Sequence, residues 1–178
     1  MDLLEPIKAR LPEYAKDIRT NLDATIGHSS LEESDALAVA LAAAFAARCP
    51  LLVASIRNSK RLPAPVEAAA LAAATLMGMN NAWYPYVEMT DDGELRSMPT
   101  HLHMTPADKH PGVSESQFEM YALAASIIGK CRYCVASHYA LLKSEGTDRK
   151  KLRDIGRIAA VVQAAALVLS AEGAPPVL

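Results

Sequence analysis

The chain has 178 residues, 51% of them hydrophobic, which is enough for one well-filled core or two small fused halves, and hardly for two independent domains. Eighteen Lys plus Arg against twenty Asp plus Glu leave a formal charge of -2, without the basic excess of a nucleic-acid binder. Three cysteines, an odd number, do not read as the disulfide framework that staples small secreted domains.

The first residues, Met1-Asp2-Leu3-Leu4-Glu5-Pro6, place an acid and a proline where a secretory signal needs basic residues and then an apolar stretch, so the expected location is cytoplasmic. Alanine and leucine dominate the rest of the chain, β-branched runs are few, and prolines fall between the apolar stretches, which predicts helix almost throughout. The predicted helices are Leu11 to Leu22, Ser34 to Arg48, Pro50 to Arg61, Pro65 to Gly78, Ser114 to Ser126, Cys131 to Ser144 and Asp148 to Ala171. The longest apolar run, Ala36 to Ala47, covers 12 residues, well short of the ~20 that a membrane span needs, so no membrane association is expected. Cys49, between an alanine-rich helix and Pro50, reads as a small packed hydrophobe. From Glu88 to Val113 the pattern breaks at Asp91-Asp92-Gly93, Pro99, Pro106 and Pro111-Gly112, leaving a connecting segment with at most a short helix. Ser114-x-x-Gln117 before Phe118 has the form of a capping box, and Gly146-Thr147 suits a stop and restart.

The expected fold is therefore all-α, a single-domain bundle of about eight helices over residues 1–178, in halves 1–87 and 114–178 joined by the segment 88–113. The halves look related: Glu67 to Ala74 lines up with Glu119 to Ser126 at a shift of 52 residues, which sets Met79 opposite Cys131, Ala82 opposite Cys134 and Tyr86 opposite His138.

The chemistry concentrates in Cys131-Arg132-Tyr133-Cys134-Val135-Ala136-Ser137-His138. On a helix, positions i, i+3 and i+7 share one face, so both sulfurs and the imidazole can meet. Cys131 would stand at a helix N-terminus with Lys130 and Arg132 beside it, a setting that lowers a thiol pKa from ~8.5 toward ~3.5 to 7.5 and makes the sulfur a better leaving group. His138, one turn from Cys134, is placed to exchange its proton directly or through one water. A zinc site on Cys131, Cys134 and His138 is the competing reading, although a structural site wants a fourth ligand that no second CxxC supplies. His101-x-His103-Met104 could bind a soft metal but reads more simply as a solvated pair, and Arg149, Lys150, Lys151, Arg153 and Arg157 as the wet start of the last helix or a seat for an acidic partner.

With Leu11-Pro12-Glu13-Tyr14-Ala15-Lys16-Asp17-Ile18, Met77-Gly78-Met79-Asn80-Asn81 and Phe118-Glu119 ahead of the CxxCxxxH, the chain resembles the bacterial alkyl hydroperoxidase D (AhpD) family, within the carboxymuconolactone decarboxylase-like superfamily. The resemblance covers nearly the whole length. It implies an all-helical protomer in a homotrimer, and a dithiol that carries electrons from dihydrolipoamide, on a lipoyl-bearing acyltransferase component, to the oxidised peroxiredoxin AhpC, with weak direct reduction of alkyl hydroperoxides. It implies no tightly bound cofactor beyond a redox-active disulfide between Cys131 and Cys134. Position by position it makes Cys134 the attacking cysteine that passes through sulfenic acid, Cys131 the proton-donating and disulfide-forming partner, and Glu119 with His138 the proton relay. Twelve residues of continuous helix span about 18 Å, so Glu119 can reach this site only if the chain folds back near Gly129-Lys130. Family members can carry a histidine immediately before the second cysteine; here that position is Tyr133, a phenol with a pKa near ~10 that cannot act as base at neutral pH. A decarboxylase-type lyase and a non-enzymatic metal-binding or scaffold module are the rival functions.

Overall fold

Packing decides this fold more than amphipathicity does. The computed structural model describes residues 2–104 and 110–173, and every regular element among them is helical. The elements are α1 (Glu5–Lys8), α2 (Lys16–Leu22), α3 (Glu33–Ala46), α4 (Pro50–Asn58), α5 (Ala64–Met89), α6 (Gly93–Ser97), α7 (Glu115–Gly129), α8 (Arg132–Ser144) and α9 (Arg149–Glu172), with 3-10 turns at Asp2–Leu4 and Glu13–Ala15 and a π turn at Asp23–Gly27. Helix α3 runs through the middle: Ala36 to Ala44 have no solvent exposure at all, and the alanines among them let α5, α7 and α9 approach from different sides. A helix that is apolar all round has to be buried, and this one is. Among the described residues α9 alone is long and apolar enough to cross a membrane, but Ile155, Ile158, Ala159, Val162 and Ala165 on it are fully buried against α3 and α7.

Local signals set several boundaries as expected. Ser114 Oγ accepts the Gln117 N–H at 3.2 Å while the Gln117 side chain accepts the Ser114 N–H at 2.9 Å, a complete capping box. The Gln117 amide also donates to Asp35 Oδ1 at 2.8 Å, where the Tyr121 hydroxyl donates at 3.1 Å, so one cap ties α7 to α3. Burial, followed by the Asp35 carboxylate, pushes the Tyr121 phenol far above its ordinary pKa. Gly146, at φ 85°, closes α8 in a Schellman motif: its N–H bonds to the Lys143 carbonyl and the Thr147 N–H to that of Leu142.

Two expectations are corrected. Helix α5 does not stop at Gly78 but continues through Pro85 to Met89. The expected helix over Leu11 to Leu22 is a 3-10 turn and the shorter α2, followed by the π turn. The connecting segment holds the short helix α6, capped by Asp92; Pro106 lies outside the described residues.

The relation between the halves also has a different register. At a shift of 52 residues the unbroken middle of α5 would face the break between α7 and α8, so that pairing fails on the backbone. At a shift of 82, α3 matches α7 and α4 matches α8, and the sequences agree at Glu33-Ser34 with Glu115-Ser116, Ala40 to Ala43 with Ala122 to Ala125, Cys49 with Cys131, and Val53-Ala54-Ser55 with Val135-Ala136-Ser137. The corners match as well: Arg48 and Lys130 are both left-handed at φ 56°, and each is followed by a cysteine at the N-cap of the next helix.

Of the basic cluster on α9, two members pair with a buried carboxylate. Asp154, 1% exposed, accepts the Ser30 N–H at 2.8 Å on one oxygen, and the other accepts from Arg153 Nε and Arg157 Nη1, each at 3.0 Å. Burial opposes its ionisation, but the Ser30 amide and the two guanidiniums outweigh burial and hold the carboxyl well below the usual range. Its stabilising contribution is complete above about pH 5 and is lost as the pH falls through the ordinary aspartate pKa toward the lower folded value. Asp154→Asn is expected to cost about 1 to 3 kcal/mol at neutral pH, the arginines being partly solvated, and to flatten the acid side of the stability curve; urea melts between pH 3 and 7 measure both.

Candidate active site at the α7–α8 corner

The corner is shaped by main-chain bonds. Helix α7 ends in a second Schellman motif, with the Lys130 N–H on the Ile127 carbonyl at 3.1 Å and the Cys131 N–H on that of Ser126 at 3.4 Å. Lys130 turns the chain in the left-handed region, and α8 then runs back along α7. Gly129 is needed because a Cβ there would overlap the side chain of Asn81 on α5, whose amide donates to the Ala125 carbonyl at 3.1 Å. That close approach brings α5, α7 and α8 together at one point.

Cys131 is the N-cap of α8, and its Sγ accepts the Cys134 N–H at 3.2 Å. The two sulfurs are at bonding distance, with the Cα atoms 5.3 Å apart. Cys131 has no exposure and Cys134 has 3%, so both are nearly sealed when joined. His138, one turn further along, sets Nδ1 2.6 Å from Glu119 Oε2 and Nε2 3.1 Å from Met77 Sδ. The fold-back required for Glu119 is therefore present: nineteen residues of sequence separate it from His138, and the antiparallel α7 and α8 close that gap. Side chains of both are mostly buried, at 13% and 15% exposure.

A single stripe of α5, Met77, Asn81, Tyr84 and Glu88, faces this corner at helical spacing. Met77 touches His138, Asn81 seats α7, Tyr84 stacks on Tyr133 with ring centroids 4.5 Å apart, and Glu88 lies 3.9 Å from Arg132. Beside them opens a cleft of about 500 Å³, walled by Trp83, Tyr84, Val87, Met98, Tyr133 and Ala136 and rimmed by Arg96 and Arg132. Cys131 itself forms part of the wall of a second hollow of about 450 Å³ with Ile127, Val135 and Tyr139. Burial, then the neighbouring Tyr133, raises the Tyr84 phenol.

All four expected site residues, Cys131, Cys134, His138 and Glu119, thus lie at one corner. Sequence reasoning missed Met77, Tyr84 and Glu88; their i, i+7, i+11 spacing is the available signal, hidden by the expected end of α5 at Gly78. His101 and His103 are exposed, and His103 lines a separate hollow with His110 and Met79. Among the described residues no group of three His, Cys, Asp or Glu side chains is arranged to hold a metal, since His138 is turned to Glu119 and Met77.

In the first half, the positions matching Glu119, Cys134 and His138 are Leu37, Leu52 and Ile56, each at most 1% exposed. Apolar packing fills the corner there.

Residues 97–174 match the carboxymuconolactone decarboxylase family. Over 173 residues the chain is 38% identical to the alkyl hydroperoxide reductase AhpD of Rhodospirillum centenum, a match covering 96% of this chain and 92% of that one. The chain belongs to the AhpD family. AhpD of Streptomyces avermitilis is 36% identical over 95% of this chain and 96% of its own, and AhpD of Maricaulis maris 36% over 95% and 98%. The AhpD likeness therefore takes in both halves, the α5 stripe included.

Proposed function

We propose that this chain is a thiol-dependent alkyl hydroperoxide reductase in which Cys131 and Cys134 alternate between dithiol and disulfide. The observation that carries the reading is the joining of two nearly buried sulfurs beside a His138–Glu119 pair at a helix N-terminus. The naming of relatives as alkyl hydroperoxide reductases supports it. In the reductive half, a thiolate of an external dithiol such as dihydrolipoamide attacks Cys134 Sγ. The disulfide breaks, and Cys131 leaves as a thiolate stabilised by the N-terminal amides of α8. The donor's second thiol displaces Cys134, whose sulfur takes a proton from His138, and the donor departs as its own disulfide. In the oxidative half, His138 takes the Cys134 proton back and the thiolate attacks the peroxide, whose O–O bond breaks to give sulfenic acid and an alkoxide that His138 protonates to the alcohol. The Cys131 thiolate then attacks the same sulfur and closes the disulfide, the hydroxyl leaving as water with a proton from solvent. A peroxiredoxin disulfide is reduced by the same pair through a mixed disulfide, which makes a peroxiredoxin and a lipoyl-bearing acyltransferase component the partners. A cytoplasmic homotrimer is the assembly this reading carries.

A coupled assay with dihydrolipoamide, this protein, oxidised peroxiredoxin and cumene hydroperoxide, each omitted in turn, tests it. Turnover is expected to require the dithiol and to fall to a weak residual rate without peroxiredoxin. Peroxide consumption that ignores omission of the dithiol sinks the reading. The match to the carboxymuconolactone decarboxylase family favours a second reading, acid/base lyase chemistry at Glu119 and His138, which would survive alkylation of both cysteines.

A further inference from the structure

Resting on that reading, we infer that Met77 is a positioning residue for His138: its thioether fixes the imidazole while leaving the Nε2 proton free to move to Cys134.

Donors and acceptors around the ring decide this. Glu119 presents a carboxylate oxygen to Nδ1 at 2.6 Å, and Met77 presents its sulfur to Nε2 at 3.1 Å. A carboxylate oxygen and a thioether sulfur both offer lone pairs, so each faces His138 as a hydrogen-bond acceptor. The two acceptors differ in strength. The carboxylate makes a short charge-assisted bond that fixes the ring, whereas sulfur is a weak acceptor that holds an N–H loosely. Met77 is 2% exposed, so it also occupies the place where water would otherwise bind the same N–H. When the donor's second thiol displaces Cys134, a thiolate forms on the residue one helical turn before His138, a stronger acceptor than the thioether, to which the imidazole proton can pass directly or through one water. Two electrons and two protons come from the external dithiol; one of those protons restores the imidazole. A leucine at position 77 fills the same space with no acceptor, and a glutamine offers a carbonyl that competes with the thiolate.

The test uses full-length protein labelled with ¹⁵N-histidine, its ring assigned to His138 by the His138→Phe variant, in the parent and in Met77→Leu and Met77→Gln. Leucine for methionine conserves volume and is expected to leave folding intact. Met77→Leu should shift the His138 Nε2 resonance and slow reduction of the Cys131–Cys134 disulfide by dihydrolipoamide about fivefold in kcat with KM within twofold, the size of one modest hydrogen bond. Met77→Gln should be slower still, with the Nε2 proton exchanging more slowly with solvent. If Met77→Leu keeps the parent resonance and a rate within twofold, Met77 is only packing and the inference is wrong. If the parent protein turns over neither dithiol nor peroxide, the functional reading fails, and the resonance shift still decides whether Met77 orients the ring.

Discussion

Cys134→Ser is expected to remove turnover with dihydrolipoamide and hydroperoxide by about 10³-fold or more, the order of loss when a covalent nucleophile is deleted. The site explains why no neighbour can substitute. Cys131 has no exposure and its sulfur caps α8, so it is placed to leave as a thiolate or to close on Cys134. Cys49, the only other thiol of the chain, is buried at the matching corner of the first half, next to Leu52 and Ile56 positions that offer no base. The complementary Cys131→Ser protein is expected to accumulate a Cys134 mixed disulfide with oxidised peroxiredoxin, which Cys131 would otherwise resolve, visible as a single adduct by mass spectrometry. Full activity in Cys134→Ser would discard the mechanism.

His138→Phe should slow turnover by about 10²-fold, the lower end of what a positioned acid/base group contributes, while the disulfide still forms under diamide. The phenyl ring keeps a flat aromatic body between α7 and α5 but presents nothing to Glu119 or Met77. Glu119 then stays largely buried without its ring partner, so some stability is lost as well, about 1 to 3 kcal/mol. Rates are therefore compared below the melting transition of the variant. A His138→Phe protein as fast as the parent would remove His138 from the proton path.

How far these features can be read from sequence depends on how local their causes are. Ser114 with Gln117 and Gly146 with Thr147 are short-range devices, and they end or begin helices where expected. The CxxCxxxH spacing is local too, and it sets Cys131, Cys134 and His138 on one face. Helix α5 outruns its expected end at Gly78. Glycine and a later Pro85 weaken a helix by intrinsic preference, whereas in the fold Asn81, Tyr84 and Glu88 are held by α7 and α8. Tertiary contact overrides propensity there. Glu119 is reachable only on condition of a fold-back, and the condition turns on Lys130 adopting a left-handed conformation that spacing does not announce. Met77 stands 61 residues from His138, beyond any periodicity argument. The 52-residue shift misleads because alanine-rich helices match one another by composition; Cys49 and Cys131 are the uncommon residues that mark the 82-residue register.

The Schellman bonds from Lys130 and Cys131 to Ile127 and Ser126 join main-chain atoms only, so the elbow between α7 and α8 keeps its shape whether or not the sulfurs are bonded to each other. Electron transfer through such an elbow asks for side-chain rotation and no remodelling of the backbone. Under the proposed function, a partner arriving to donate electrons and one arriving to accept them would then find the same main-chain shape at this corner.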